Sequence, residues 1–298
     1  MAKKIFIDTD IGDDVDDALA IALALRSREL ELTGVSTVYK NAPARQQLAM
    51  ELLRRMGRSD IPVAAGASKN LEGDGATETP PPQCRCLKEA VVPACRTHGV
   101  TLLLEQLQKT PDMTVVALGP LTNLALAVLL EPERMKQAKI VMMGGAFGAV
   151  YPEYNILCDP AAAKLVLESG ADVTMLGLDV TVPCVLDHAE EALVLSYTEG
   201  DRGFLSDLAK VWMETSKAKK ITLHDPLVIA YLLDPSLVTV EPAPVSVVLD
   251  SGSLRGLTVD RRHPFRRREP LPAPNAKIAA SVDRDRACAL ILNRIFRT

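Results

Sequence analysis

The residues from Asp8 to Asp17 read DTDIGDDVDD and place six carboxylates within ten positions. Asp8, Asp10, Asp13, Asp14, Asp16 and Asp17 repel one another, and like charges gathered in one concave site raise each other's pKa values. A cation relieves that repulsion. A carboxylate set suits a hard divalent ion such as Ca2+ or Mg2+, whereas Zn2+ favours His and Cys. The plainer alternative is an acidic, solvated helix start, because Asp near a helix N-terminus is favoured by the dipole. The spacing is not that of an EF-hand: counted from Asp8, Gly12 falls at loop position 5 instead of 6, and position 12 is Leu19 instead of Glu. Further along, His224 directly precedes Asp225, and Glu153 and Asn155 flank Tyr154. Cys84, Cys86 and Cys95, with His98 nearby, lack the paired C-x-x-C spacing of a zinc site and read as ordinary reduced thiols. The basic run of Arg261, Arg262, His263, Arg266, Arg267 and Arg268 holds one aromatic, Phe265, and adjoins a Pro-rich stretch, so it reads as a solvated loop.

These residues need a scaffold, and the apolar pattern supplies one. An apolar run at 5–7 ends at Asp8, and ALAIALAL follows Asp17, which gives a strand, an acidic loop and a helix. A β-branched run at 32–38 leads to a loop holding Asn41 and a helix over 44–56 that stops at Gly57. The alternation continues with strand 114–118 and helix 121–130, strand 140–143 and helix 160–168, then a strand at 173–177. Helices are expected near 188–196, 204–215 and 225–233, strands at 245–249 and 277–282, and a last helix closes the chain. Strands separated by helices of this length predict an α/β fold with an open, mostly parallel central sheet, mixed where later strands join, and helices on both faces. Ligands of such sheets sit where strands end, which nominates the loops holding Asp8, Asn41, Gly119 and Gly144. No Gly/Ser-rich or charged linker divides the chain, so residues 1–298 read as a single domain. The stretch 66–97, rich in Gly, Pro and Cys, is a long loop and a candidate lid.

Composition narrows the partners. The 298 residues are 48% apolar and 24% charged, as in an ordinary globular chain. Thirty-four basic side chains against 38 acidic ones leave a net charge of −4, which gives no reason to expect nucleic acid. The longest apolar stretch, 18–25, is far short of the roughly 20 residues a bilayer crossing needs. The run at 5–7 is too short for a secretory signal, and the six scattered cysteines suit a reducing compartment, so the expectation is a cytoplasmic protein with no membrane partner.

The opening IFIDTDIGDDVDDALAIALAL resembles the N-terminal signature of the nucleoside hydrolases, the inosine-uridine-preferring N-ribohydrolase family. GPLTNLALA at 119–127 is similar to the family's second loop, MGGAF at 143–147 with PEYN at 152–155 to its third, and HDPL from His224 to its fourth. GLTVD at 256–260 and the helix from Asp283 follow the family too, so the resemblance spans essentially the whole chain with four motifs in order. It implies the nucleoside hydrolase fold and hydrolysis of the N-glycosidic bond of ribonucleosides to ribose and free nucleobase. It further implies one Ca2+ at the bottom of the pocket, holding the attacking water and the ribose hydroxyls. Carried onto matching positions, Asp10, Asp17 and Asp225 are carboxylate ligands and Thr122 gives a backbone carbonyl. Asp10 doubles as general base on the water, with Asp8 in support if β alternation reaches that far. Asp16, Asn41, Glu153 and Asn155 grip the ribose, and His224 protonates the departing base. Tyr154 either contacts ribose or base, or packs. A homodimer or homotetramer is the assembly the resemblance implies, and it carries no base preference.

The chain departs from the family pattern after Gly12, where Asp13, Asp14 and Val15 precede the Asp pair in place of one residue. Asp16 and Asp17 align with the pair because ALAIALAL follows directly, and Asp14 competes for the ribose or metal role. Two other readings stand beside this one. A strand ending in Asp-x-Asp also opens the haloacid-dehalogenase-like phosphatase fold, which requires a later Lys and acidic pair that the chain does not convincingly offer. A non-catalytic metal- or sugar-binding protein would keep the pocket without the acid or base, yet Asp10 and His224 are both present.

Overall fold

In the first strand, successive side chains leave on opposite faces: Ile5 and Ile7 join one apolar core and Phe6 joins another. Burial on both faces is the mark of a central strand in a helix-covered parallel sheet. The computed structural model describes residues 2–88, 96–250, 252–262 and 272–297. Its strands are β1 (Lys3–Thr9), β2 (Leu30–Thr37), β3 (Val63–Ala65), β4 (Thr114–Ala117), β5 (Lys139–Met143), β6 (Asp172–Leu176), β7 (Val238–Ala243), β8 (Val245–Val247), β9 (Thr258–Asp260) and β10 (Ala276–Val282). Eight of them form one sheet in the order β3-β2-β1-β4-β5-β6-β10-β7, and β8 and β9 make a separate antiparallel pair. Every neighbouring pair of the large sheet is parallel except β10 with β7.

The strand order runs backward from β1 through β3 and forward from β4, so the crevice between β1 and β4 is a topological switch point where ligands of open α/β sheets bind. Asp10 follows β1 and Leu118 follows β4. The two loops touch: a Cβ on Gly119 would stand 2.8 Å from Asp10 Oδ1 and 2.9 Å from its backbone nitrogen, so only glycine permits the approach.

The helix Asp16–Leu25 is buried along nearly its whole length, as its Ala and Leu content on all sides requires, and packs against the helix His224–Leu233. Asn41 caps the helix Ala42–Arg55 by accepting from the backbone N–H of Ala44, and Gly57, at φ 72°, lies just past its end. Asp159 caps the helix Pro160–Glu168 in the same way. The structure adds elements to the expected pattern: the helix Gly99–Lys109, the three-residue β3, and β7, an edge strand that tolerates Pro242. The long loop 66–97 is partly ordered, with a 3-10 turn over Pro82–Cys86 whose Gln83 amide donates to the Leu208 carbonyl at 3.3 Å. Residues 89–95 of that loop, Cys95 among them, lie outside the described residues. No helix among the described residues is long and apolar enough to cross a membrane.

Candidate active site

A cavity of about 540 Å³ opens at the carboxyl ends of the parallel strands, within the size range of small-molecule sites. Asp10, Asp16, Asp17, Glu153, Asn155, His224 and Asp225 line it, drawn from three separate segments of the chain. Asn41 and Thr122 do not line it: the Asn41 amide is occupied by capping and by the Glu78 carbonyl at 3.0 Å, and the buried Thr122 hydroxyl donates to Asp159 at 2.7 Å. Asp8 lies behind the cavity wall. β1 ends at Thr9, before the alternation reaches Asp10, and Asp8 accepts from Ser36 and from the Asn123 amide while its other oxygen has no partner. Burial pushes the Asp8 carboxyl up to about 7.

At the cavity base, Asp16, Asp17 and Asp225 each offer an oxygen within 4.8 Å of the others, the one group of acidic, His or Cys residues among the described residues that converges closely enough to hold a metal ion. Two helices begin here. The backbone N–H of Asp225 donates to Asp16 Oδ2 at 3.3 Å and that of Asp17 to Asp16 Oδ1 at 3.2 Å, while Thr9 donates to Asp17. Burial raises all three carboxyls well above the usual range, and neighbouring carboxylates raise them further. Burial likewise takes Asp10 up to about 6, against the pull of Arg45, and Asp14 up to about 7. Carboxylates held this close without a countercharge fit a divalent cation, and the donors on offer are oxygens, as hard ions require.

The other half of the acidic loop is differently served. Arg45 is fully buried and donates to the carbonyls of Asp10 and of Ile11 (2.9 Å), to Asp13 Oδ2 at 2.8 Å and to the Tyr39 carbonyl at 3.0 Å. Lys40 adds a second contact to Asp13 Oδ2 at 3.2 Å. Burial works to raise the Asp13 carboxyl, but Arg45 and Lys40 outweigh it and hold it below its ordinary value. Sequence reasoning missed Arg45. Its only signal is an arginine in the second turn of a helix that starts beside the acidic loop.

The remaining walls carry polar groups with fixed directions. Glu153 caps the short helix Tyr154–Cys158, accepting from the N–H groups of Asn155 (2.7 Å), Ile156 (3.1 Å) and Gly145 (3.2 Å). Burial still pushes its carboxyl up to about 7. The Asn155 amide nitrogen donates to the carbonyls of Leu118 (2.7 Å) and Met143 (3.3 Å), which fixes the amide's orientation and leaves its oxygen to accept. His224 opens its helix with Nδ1 2.8 Å from the Thr181 hydroxyl, and burial lowers its pKa to about 4, so the ring is neutral at neutral pH. Lys40, Tyr154, Leu178 and Trp212 also line the cavity, and all but Tyr154 were unanticipated. Trp212 is the only tryptophan of the chain, and its indole N–H donates to the Lys220 carbonyl at 2.7 Å.

Features outside the cavity carry little chemistry. Cys84 and Cys86 are half-buried free thiols, and His98 is an exposed cap on the helix Gly99–Lys109. Arg262 pairs with Asp260 and Glu241, and residues 263–271 of the basic run lie outside the described residues. A cleft of about 590 Å³ beside β3 is lined by Arg54, Arg96, Glu105 and Lys109 among others and has none of the converging carboxylates.

The chain is similar to known proteins along nearly its whole length. The family model described as inosine-uridine preferring nucleoside hydrolase matches residues 5–289. Probable uridine nucleosidase 2 of Arabidopsis thaliana is 36% identical over 99% of this chain and 98% of its own. The pyrimidine-specific ribonucleoside hydrolase RihA of Citrobacter koseri is 33% identical with the same coverage of both chains. Among solved structures, the plant nucleoside hydrolase PpNRh1 superposes with a TM-score of 0.88 at 30% identity, covering 100% of both chains.

Proposed function

Because the chain belongs to the inosine-uridine preferring nucleoside hydrolase family, and so to the N-glycosyl hydrolases, we propose that it is a Ca2+-dependent hydrolase cleaving ribonucleosides to ribose and free nucleobase. The observation that carries this reading is the convergence of Asp16, Asp17 and Asp225 at the base of a cavity whose other walls present the polar side chains of Glu153, Asn155 and His224.

Asp17 and Asp225, with Asp10 beside them, would hold the ion, and Ca2+ accepts more protein oxygens than Mg2+, which keeps several waters. When bound, the ion neutralises the cluster and lowers the pKa of water at the site. Asp10, which lines the cavity beside these carboxylates, is placed to take the proton of the attacking water. Asp16, fixed by two backbone N–H groups, accepts from a ribose hydroxyl, as do Glu153 and the Asn155 oxygen. Positive charge developing on the sugar in an oxocarbenium-like state is stabilised by the acidic walls. In the tautomer whose Nδ1 accepts from the Thr181 hydroxyl, the neutral His224 ring carries its proton on Nε2 and can offer a hydrogen bond to the leaving base.

A phosphatase reading finds no support, because Asp8, the required nucleophile, is buried outside the cavity. The test is release of free ribose from a panel of purine and pyrimidine ribonucleosides, with and without a Ca2+ chelator. Chelator-sensitive release is expected. No release from any nucleoside, with Ca2+ shown to be bound, would overturn the proposal and favour a non-catalytic sugar-binding role.

A further inference from the structure

Lys40 is the one lysine or arginine lining the catalytic cavity among the described residues, in a site otherwise dominated by carboxylates. Its ammonium stands 3.2 Å from Asp13 Oδ2 and 3.0 Å from the Tyr154 hydroxyl. An ammonium has three N–H donors, so these two contacts leave one for a ligand. The ammonium is also 5.5 Å from the centre of the Tyr39 ring and 5.7 Å from that of Tyr154, within cation–π range of both.

The backbone beneath is unusual. Tyr39 and Lys40 are consecutive left-handed residues, with φ of 70° and 53°, a region that favours glycine. The turn is pinned by the Tyr39 N–H donating to the Ala67 carbonyl at 2.7 Å and by Arg45 Nε donating to the Tyr39 carbonyl. A lysine held in a disfavoured conformation at the edge of a catalytic cavity points to a use for its side chain.

Resting on the proposed hydrolysis, sugar stereochemistry says what that use is. In a ribonucleoside the base and C5′ project from one face of the ring, on either side of the ring oxygen, and the 2′,3′-diol lies on the other face. With the diol toward the carboxylates and the base toward His224, C5′ is directed to the opposite end of the cavity. The Thr181 partner of His224 follows β6, and Lys40 follows β2. Between them lie β1, β4 and β5, so His224 and Lys40 line the cavity from opposite sides. We propose that Lys40 is a specificity-determining residue whose free N–H donates to the 5′-hydroxyl of the substrate, with Tyr154 and Asp13 holding the ammonium in place.

The test compares kcat/KM for the ribonucleoside that the parent chain hydrolyses fastest with that for its 5′-deoxy analogue. A hydrogen bond from a charged donor predicts that the parent prefers the hydroxylated substrate by about tenfold or more. Lys40→Met lowers this ratio to within about threefold of unity, and Lys40→Arg, which keeps a cationic donor, retains most of it. Lys40→Gly separates ammonium from backbone: it melts no lower than the parent, because glycine accepts the left-handed turn, yet it loses the discrimination. A ratio unchanged in Lys40→Met, or a parent that does not discriminate, overturns the assignment. A parent that hydrolyses no ribonucleoside fails before any substitution is made, and removes the hydrolase reading along with this one.

Discussion

Asp13 and Asp17 lie in the same acidic loop, four positions apart, and meet opposite electrostatic fates. Around Asp13, Arg45 and Lys40 supply positive charge and hold the carboxylate ionised. Around Asp17, burial and neighbouring carboxylates press the other way, and the near partner is a threonine hydroxyl. The loop is thus divided into a half that the protein neutralises itself and a half left for something else to neutralise. The difference teaches that carboxylate count does not locate a cation site. What locates it is the set of carboxylates that the protein leaves without a countercharge.

That contrast can be broken experimentally, beginning where the largest effect is expected. Asp10→Asn keeps the shape of the loop but removes the base, so kcat should fall by about 10³-fold with near-parental circular dichroism. Retained turnover would reassign the base. Arg45→Met withdraws the countercharge from the neutralised half and leaves the Asp10 and Ile11 carbonyls short of a donor. It should cost about 3 kcal/mol in chemical denaturation, as loss of one partner of a buried pair does, and a loss below about 1 kcal/mol would show that the guanidinium does not organise the loop.

The two halves can then be set directly against each other by calorimetric titration with Ca2+. Asp17→Asn should weaken binding by about 100-fold, whereas Asp13→Asn, whose charge is already met, should change it by a few-fold at most. Equal effects would erase the distinction. The smallest effect concerns pH. Burial raises Asp10 to about 6 and Asp14 and Glu153 to about 7 in the folded chain, above their unfolded values. Groups raised in this way stabilise the fold fully below about pH 4, and that contribution is lost as pH rises through 6 to 7. The metal-free protein should therefore lose at least about 1 kcal/mol of stability between pH 5 and pH 8, and Ca2+ should reduce the slope. A flat profile without the ion would show that the carboxylates are already compensated.

Much of this architecture was legible in the chain. The helix Pro160–Glu168 has the expected bounds because a proline in the first turn and an Asp cap leave little freedom in where it starts. The strand–loop–helix alternation predicts the parallel sheet, and the strand ends nominate the loops holding Asp8 and Gly144, but it is the family resemblance that singles out Asp10, Glu153 and Asn155. β3 escaped notice because three residues make no period, and β7 because Pro242 argues against a strand unless the strand is known to lie at an edge. The helix Gly99–Lys109 has Val100, Leu103, Leu104 and Leu107 at helical spacing, but it follows a Gly- and Pro-rich stretch that reads as loop. Arg45, Lys40 and Trp212 were invisible for a different reason. Nothing in the local sequence says that a polar helix face will be covered or that a lysine will turn into a cavity, since both follow from packing between distant segments.

The contact between the Asp225 amide and the Asp16 carboxylate joins residues 209 positions apart. A nascent chain leaving the ribosome therefore has no complete cation site until three quarters of it has been made, and an ion cannot seed the fold from its N-terminal acidic loop. On the proposed reading, calcium would act instead as a late latch on two helices that have already met. Its kinetic signature is a refolding rate indifferent to the ion and an unfolding rate that falls with occupancy, so that the bound protein persists longer without having assembled faster.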